Sequence, residues 1–151
     1  MSYLWEYDDE GGGVAGDTGS AMHKAAAAMH KGKDTAESLE VMQGMVHEYP
    51  RADFQDAAGM FLSYALDDRN RTAKFLLIEE RISFQIAPAE NDPTGAPIQV
   101  VGTLDQVRLV DGTPKLWDIK TSKKDQIQQL HKHQMQIAAY CIGATIRLGR
   151  T

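Results

Sequence analysis

Between Lys74 and Ser122 the chain carries three runs rich in β-formers, "KFLLIEERISFQIAP", "IQVVGTLDQVRLV" and "KLWDIKTS". Only turn chemistry, "AENDPTGAP" and "DGTP", separates them. Strands joined by connections this short pair antiparallel, so the segment reads as a three-stranded meander. A small sheet of this kind needs cover on its apolar faces, and the flanking sequence supplies helices for it.

From Ser20 the stretch "SAMHKAAAAMHKGKD" is alanine-rich, with Met22, Ala26 and Met29 at helical spacing and with Thr18 and Ser20 as candidate caps. A helix is expected from about residue 20. "TAESLEVMQGMVHEY" resumes the pattern with Leu39, Met42 and Val46 on one face, until Pro50. A third helix is predicted over residues 53–69, with Phe54, Ala57, Phe61, Tyr64 and Ala65 on a common side. After the strands, Ile127, Leu130, Gln134, Ile137 and Cys141 repeat near 3.6 residues, and Ala138, Ala139 and Ala144 would let that helix approach the sheet. The order predicts an α+β domain over residues 20–151, preceded by a flexible arm at 1–19 whose glycine cluster and acidic patch show no sustained period.

At 151 residues the chain is the size of one domain, and its 42% hydrophobic and 25% charged content exclude a wholly disordered or fibrous protein. It has no apolar run near the eighteen or so residues of a membrane span and no signal sequence, and is read as cytoplasmic. The single cysteine, Cys141, excludes a disulfide framework or a four-cysteine cluster within the chain, and is expected to be a small core residue. The net charge of -5 weighs against nucleic-acid binding, although carboxylates gathered around divalent cations would remove part of it and residues 115–132 are locally basic.

Among the charged residues in these runs, Asp105 in the second and Asp118 and Lys120, two apart in the third, stand out. Charges are costly there without partners, a metal or a task. Residues two apart on a strand share a face, and an antiparallel neighbour could set Asp105 beside Asp118 and Lys120. Two carboxylates and an ammonium on one patch suit Mg²⁺ or Mn²⁺, because hard cations take oxygen ligands and leave waters for substrate phosphates. The lysine would orient a water or neutralise developing charge. An isolated D-x-K is usually no more than a surface ion pair, so its sequence context decides.

That context resembles the PD-(D/E)XK nuclease superfamily in its RecB-like branch. The pattern there is an early helical His, G-x-x-D on one strand, D-x-K-T on the next and Q-x-x-x-Y on a helix. This chain has "GSAMHKAAAAM", "GTLD", "DIKTS" and "QIAAY" in that order. "TLD", "DxKTS" and "Q…AY" are most similar to phage recombination exonucleases and the mitochondrial genome maintenance exonuclease. The resemblance implies a restriction-endonuclease-like α+β core with a mainly antiparallel sheet flanked by helices, and one or two Mg²⁺ or Mn²⁺ ions. It implies that His23, Asp105, Asp118 and the backbone carbonyl of Ile119 hold the metal and that Lys120 is the catalytic lysine. Gln136 and Tyr140 would position the nucleic-acid backbone, with Thr121 and Ser122 as phosphate contacts. A first-strand glutamate is frequent in the family; alternation does not choose between Glu79 and Glu80, and Glu79 is preferred. His30, His47, His131 and His133 are read as surface or packing residues.

Family members continue past the Q-x-x-x-Y helix with a further strand or two that have no counterpart here. A minimal domain, completion by a partner chain or homo-oligomer, and a fragment are the three explanations. The sequence holds no ATP-binding loop. The expected activity is metal-dependent hydrolysis of DNA, as an exonuclease on single-stranded or end-processed substrates. The alternatives are a non-catalytic nucleic-acid-binding or assembly protein on the same fold, and an RNA-directed nuclease.

Overall fold

The computed structural model describes residues 13–121 and 130–149. The first twelve residues of the expected arm, Ile127 and Ser122 lie outside them. The element order is α1 (Val14–His30), α2 (Thr35–Gln43), a 3₁₀ turn (Gly44–Val46), α3 (Phe54–Leu66), α4 (Asp68–Arg71), β1 (Lys74–Ile86), β2 (Ile98–Val110), β3 (Thr113–Trp117) and α5 (Leu130–Arg147). The strands form an antiparallel sheet in the order β1-β2-β3, the expected meander and α+β class.

Two apolar clusters hold the layers together. On one side Ala21, Met22, Ala25 and Ala26 of α1 pack with Met42, Ala57, Phe61 and Ala65. The alanines let α1 sit close to α2 and α3, while Phe61 and Met42 supply most of the buried bulk, about 1.5–3 kcal/mol each. On the other side Ile82, Leu104 and Val107 of the sheet meet Ala144 of α5.

Helix α1 begins at Val14, so residues 14–19, assigned to the arm from sequence, belong to the helix. Tertiary bonds override the loop-like composition. The Thr18 hydroxyl donates to the Val14 carbonyl and accepts from the Asp53 N–H at 2.9 Å, and Asp17 accepts from the Arg51 N–H. Helix α2 starts with a reciprocal capping box between Asp34 and Glu37 and ends at Gly44, earlier than expected, which leaves Val46 exposed. The predicted third helix breaks at Asp67, whose carboxylate accepts from the Arg69 N–H and starts the separate turn α4. Its predicted buried side is otherwise as read, with Ala57, Phe61 and Ala65 in the core.

The face of α5 also differs. Cys141 is exposed and Ile137 is 37% exposed, whereas Tyr140, Gly143 and Ala144 meet the sheet. The reason is steric. A Cβ on Gly143 would overlap the Ile82 side chain and lie 2.8 Å from its Cβ, so the helix rolls to present its side-chain-free position to that isoleucine. Periodicity alone could not weigh one glycine against three apolar residues.

A buried polar cluster joins the helical layer to the sheet. Arg108 of β2, 3% exposed, donates from Nε to Gln106 Oε1 (2.8 Å) and from Nη2 to Asn70 Oδ1 and the Tyr64 hydroxyl (2.9 Å each). Its guanidinium also lies 4.2 Å from the Trp117 ring centroid. Gln106 Nε2 donates to the same Tyr64 oxygen at 2.9 Å. With two donors entering that oxygen, its own proton goes to His30 Nε2, 2.7 Å away, so His30 is the neutral Nδ1–H tautomer. Burial, with the Arg108 charge beside it, pushes the His30 imidazole down to about 4.

Two outcomes follow. Gly143→Ala will cost about 1–3 kcal/mol of stability in denaturant titration, because Ile82 must move or α5 must lift. The unfolded His30 takes up a proton near pH 6.5 while the folded one stays neutral to about 4. The stability it contributes is therefore complete above pH 6.5 and lost as pH falls toward 4. His30→Gln will flatten the melting temperature over that window relative to wild type.

Candidate metal and phosphate site

The pairing of β2 with β3 ends at Gln106↔Trp117, and the next position in that register would set Asp105 opposite Asp118. The ladder does not continue, so Asp118 and Lys120 lie just past β3 rather than inside a strand. A side chain takes over from the main chain: Asp105 Oδ2 accepts the Ile119 N–H at 2.8 Å. This carboxylate bond holds residues 118–121 along the end of the sheet, and the Ile119 side chain packs on the α1–α3 core.

Strict alternation also fails on β2. Leu104 packs toward α5, but Asp105 faces His23 of α1 and Gln106 reaches Tyr64 of α3, so two consecutive residues point to the helical layer. The local irregularity is visible across the strand pair. Glu79, between the pairs Ile78↔Gln106 and Glu80↔Leu104, has φ of +47°, a left-handed conformation that a residue with a Cβ adopts at a cost.

His23 Nδ1 stands 3.4 Å from Asp105 Oδ1, with side-chain exposures of 25% and 17%. Lys120 Nζ stands 2.8 Å from Asp118 Oδ2. Burial acts to lower the His23 pKa, but its bond to Asp105 and the carboxylate charges outweigh it, and the imidazole is raised above its usual range. Burial would raise Asp105, yet the His23 contact and the Ile119 N–H hold its carboxyl below the ordinary value. Asp118 is raised, first by burial and then by the charge of Asp105, against the pull of Lys120. Of the two carboxylates, Asp105 is thus the better stabilised anion, and Asp118 the one whose burial is not fully offset by its basic partner.

Glu79 lines a narrow cavity with His23, Asp105 and Ile119, and its carboxylate lies 3.6 Å from Lys24 Nζ. Glu80 turns to the opposite side and pairs with Arg147 of α5 at 3.1 Å. On α5, Gln136 Nε2 donates to the Tyr140 hydroxyl at 3.0 Å, and the Tyr140 ring closes on Gly102. The Tyr140 hydroxyl is raised by burial, opposed by the Gln136 bond, and raised further by the charges of Asp118 and Asp105. Thr121 abuts Gly19 of α1, where any side chain would collide with its hydroxyl oxygen.

His23, Asp105, Asp118, Ile119, Lys120, Tyr140 and, through its cavity, Glu79 therefore converge. Ser122 lies outside the described residues. Lys24 was not singled out in the sequence; its only signal is its place next to His23 on the helix. His133, read as a packing residue, stands one turn before Gln136 with Nδ1 buried and without a hydrogen-bond partner among the described residues.

A sequence model of the PD-(D/E)XK nuclease superfamily matches residues 2–147. The chain belongs to this superfamily. No curated protein matches it significantly. Membership carries the coarse activity with it: metal-dependent cleavage of nucleic acid. Among the described residues, no three His, Cys, Asp or Glu side chains stand ready to hold an ion as they are. The donor types nevertheless suit a divalent cation: two adjacent carboxylates of like charge, an imidazole and the Ile119 carbonyl. Ion pairs to Lys120, His23 and Lys24 draw the acidic groups aside, and rotation of Asp118 from Lys120 would release one of them.

A cation that binds only the folded state raises its stability, by about 2.7 kcal/mol at a hundredfold excess over Kd. Mn²⁺ or Mg²⁺ will raise the melting temperature of the wild-type chain, and Asp105→Asn will abolish the shift. An unchanged midpoint at saturating metal would exclude this cluster as a cation site.

Proposed function

We propose that the protein is a deoxyribonuclease of the RecB-like branch, acting as an exonuclease on single-stranded or end-processed DNA. In this reading His23, Asp105, Asp118 and the Ile119 carbonyl hold one or two Mg²⁺ or Mn²⁺ ions, with Glu79 as a further acidic ligand. The observation that supports it is the Ile119 N–H bond to Asp105, because it sets the carboxylates and Lys120 at one end of the sheet beside His23.

When bound, the ion would polarise a phosphate oxygen and lower the pKa of a coordinated water. The chain's own groups do the rest. Lys120, which stands beside Asp118, would aim its ammonium at the attacking water and at the charge that develops on phosphorus. Asp118, the less stabilised anion, is the carboxylate that gains most from a cation. Tyr140 and Gln136 act as a linked pair that donates to phosphodiester oxygens from the α5 side, and Thr121 offers a hydroxyl from the opposite edge. His23 must give up its proton to serve as a ligand; its raised pKa predicts activity that climbs with pH through the upper part of the imidazole range.

The test is cleavage of end-labelled single-stranded, duplex and closed circular DNA, and of an RNA oligonucleotide, in Mn²⁺, Mg²⁺ or EDTA. Linear DNA will be degraded in metal and circles spared. Lys120→Ala will lower the rate by about two to three orders of magnitude while the far-ultraviolet circular dichroism is retained. Full activity in Lys120→Ala would remove that residue from the chemistry; degradation of RNA alone would move the substrate class.

A further inference from the structure

A groove of about 960 Å³ opens beside Lys120. One wall is the exposed stripe of α3 made by Gln55, Gly59 and Ser63, with Met60 below it; the other is Ile119 and Lys120. The groove therefore runs along residues 119–121, the segment that directly follows Asp118.

Gly59 is the informative residue. It lies in the interior of a thirteen-residue helix, where glycine costs about 0.5–1 kcal/mol relative to alanine. Close packing does not explain it, because a Cβ at this position would meet nothing within 4 Å. This contrasts with Gly19 and Gly143, where a side chain would collide with Thr121 or Ile82. What an added side chain at residue 59 would occupy is the groove itself. The charges set the direction of an occupant. Lys120 is the cation on the lining, while Asp53 and Asp56 line the groove at the start of α3 and repel phosphate. A polyanionic chain can keep a phosphate at Lys120 only if its neutral sugar and base turn toward α3.

We propose that this groove seats one unpaired DNA strand next to the scissile phosphate, with its nucleoside against α3, and that Gly59 determines access by leaving the wall bare. The inference rests on the nuclease reading above and narrows it to substrates with an unpaired strand at the site. A base paired in a duplex faces its partner strand, so only an unpaired strand can turn its nucleoside toward α3 while a phosphate stays at Lys120. Stacking and hydrogen bonding along such a wall read shape rather than sequence.

The test compares wild type, Gly59→Ala and Gly59→Leu. Melting temperatures report folding, and both variants are expected at or above wild type because a helical glycine is replaced. Anisotropy of a fluorescent single-stranded oligonucleotide in EDTA reads binding without cleavage. Gly59→Leu will weaken it about tenfold and Gly59→Ala less. In metal, Gly59→Leu will raise KM for the same oligonucleotide about tenfold with kcat little changed, the mark of lost substrate seating rather than lost chemistry. Equal binding and equal KM in all three proteins, or no binding of the strand by wild type, would overturn the groove assignment. Absence of cleavage by wild type in either metal would instead overturn the nuclease reading, and the anisotropy comparison would still decide the groove.

Discussion

A guanidinium with almost no contact with solvent holds this fold in register. Arg108 reaches α3 through Tyr64 and α4 through Asn70, and lies against Trp117 at the end of β3. Its hydrogen bonds go to neutral acceptors, so the cost of burying the charge is met by many dipoles and by ring faces rather than by one anion. Asp105 lies three residues before it on β2, and Lys120 three residues after Trp117. The clamp thus sets the distance between helical layer and sheet on which the meeting of His23 with Asp105 depends.

The site itself is a set of carboxylates, each accompanied by its own cation: Asp118 by Lys120, Asp105 by His23, Glu79 by Lys24. Burial acts against the charged form of both aspartates, and each is opposed by its basic neighbour, Asp105 by His23 and Asp118 by Lys120. A divalent ion held here would have to compete with these pairs, and its binding to Asp118 would free Lys120.

Much of this was legible in the sequence. The first two strands and the α+β class were, but the third was placed too late: Thr113 and Pro114 pair with β2, and the strand ends at Trp117, before Asp118 and Lys120. The D-x-K pair and Asp105 were picked out by the cost of charge in apolar runs. Two kinds of information were missing. Local periodicity carries no record of close approach, so the face of α5 that meets Ile82 through Gly143 was misread, and Cys141 was expected in the core. Strict alternation carries no record of irregular backbone, so it could not choose between Glu79 and Glu80. The left-handed turn at Glu79 sends it toward His23, while Glu80 pairs with Arg147. The onset of α1 at Val14 was hidden for a third reason, because the bonds that stabilise it run to residues 51 and 53.

The contact between Gly143 and Ile82 has a reach that its position on the far side of the sheet conceals. Helix α5 is a rigid rod, and Gly143 lies less than one turn beyond Tyr140, whose ring rests on Gly102. Ile82 and Gly102 are themselves paired across β1 and β2. The rod therefore pivots on a two-residue bearing, with Gln136 on the arm that extends past it. A methyl group added at the bearing would swing that arm, so the placement of Gln136 and Tyr140 is exposed to mutations that touch no charged residue.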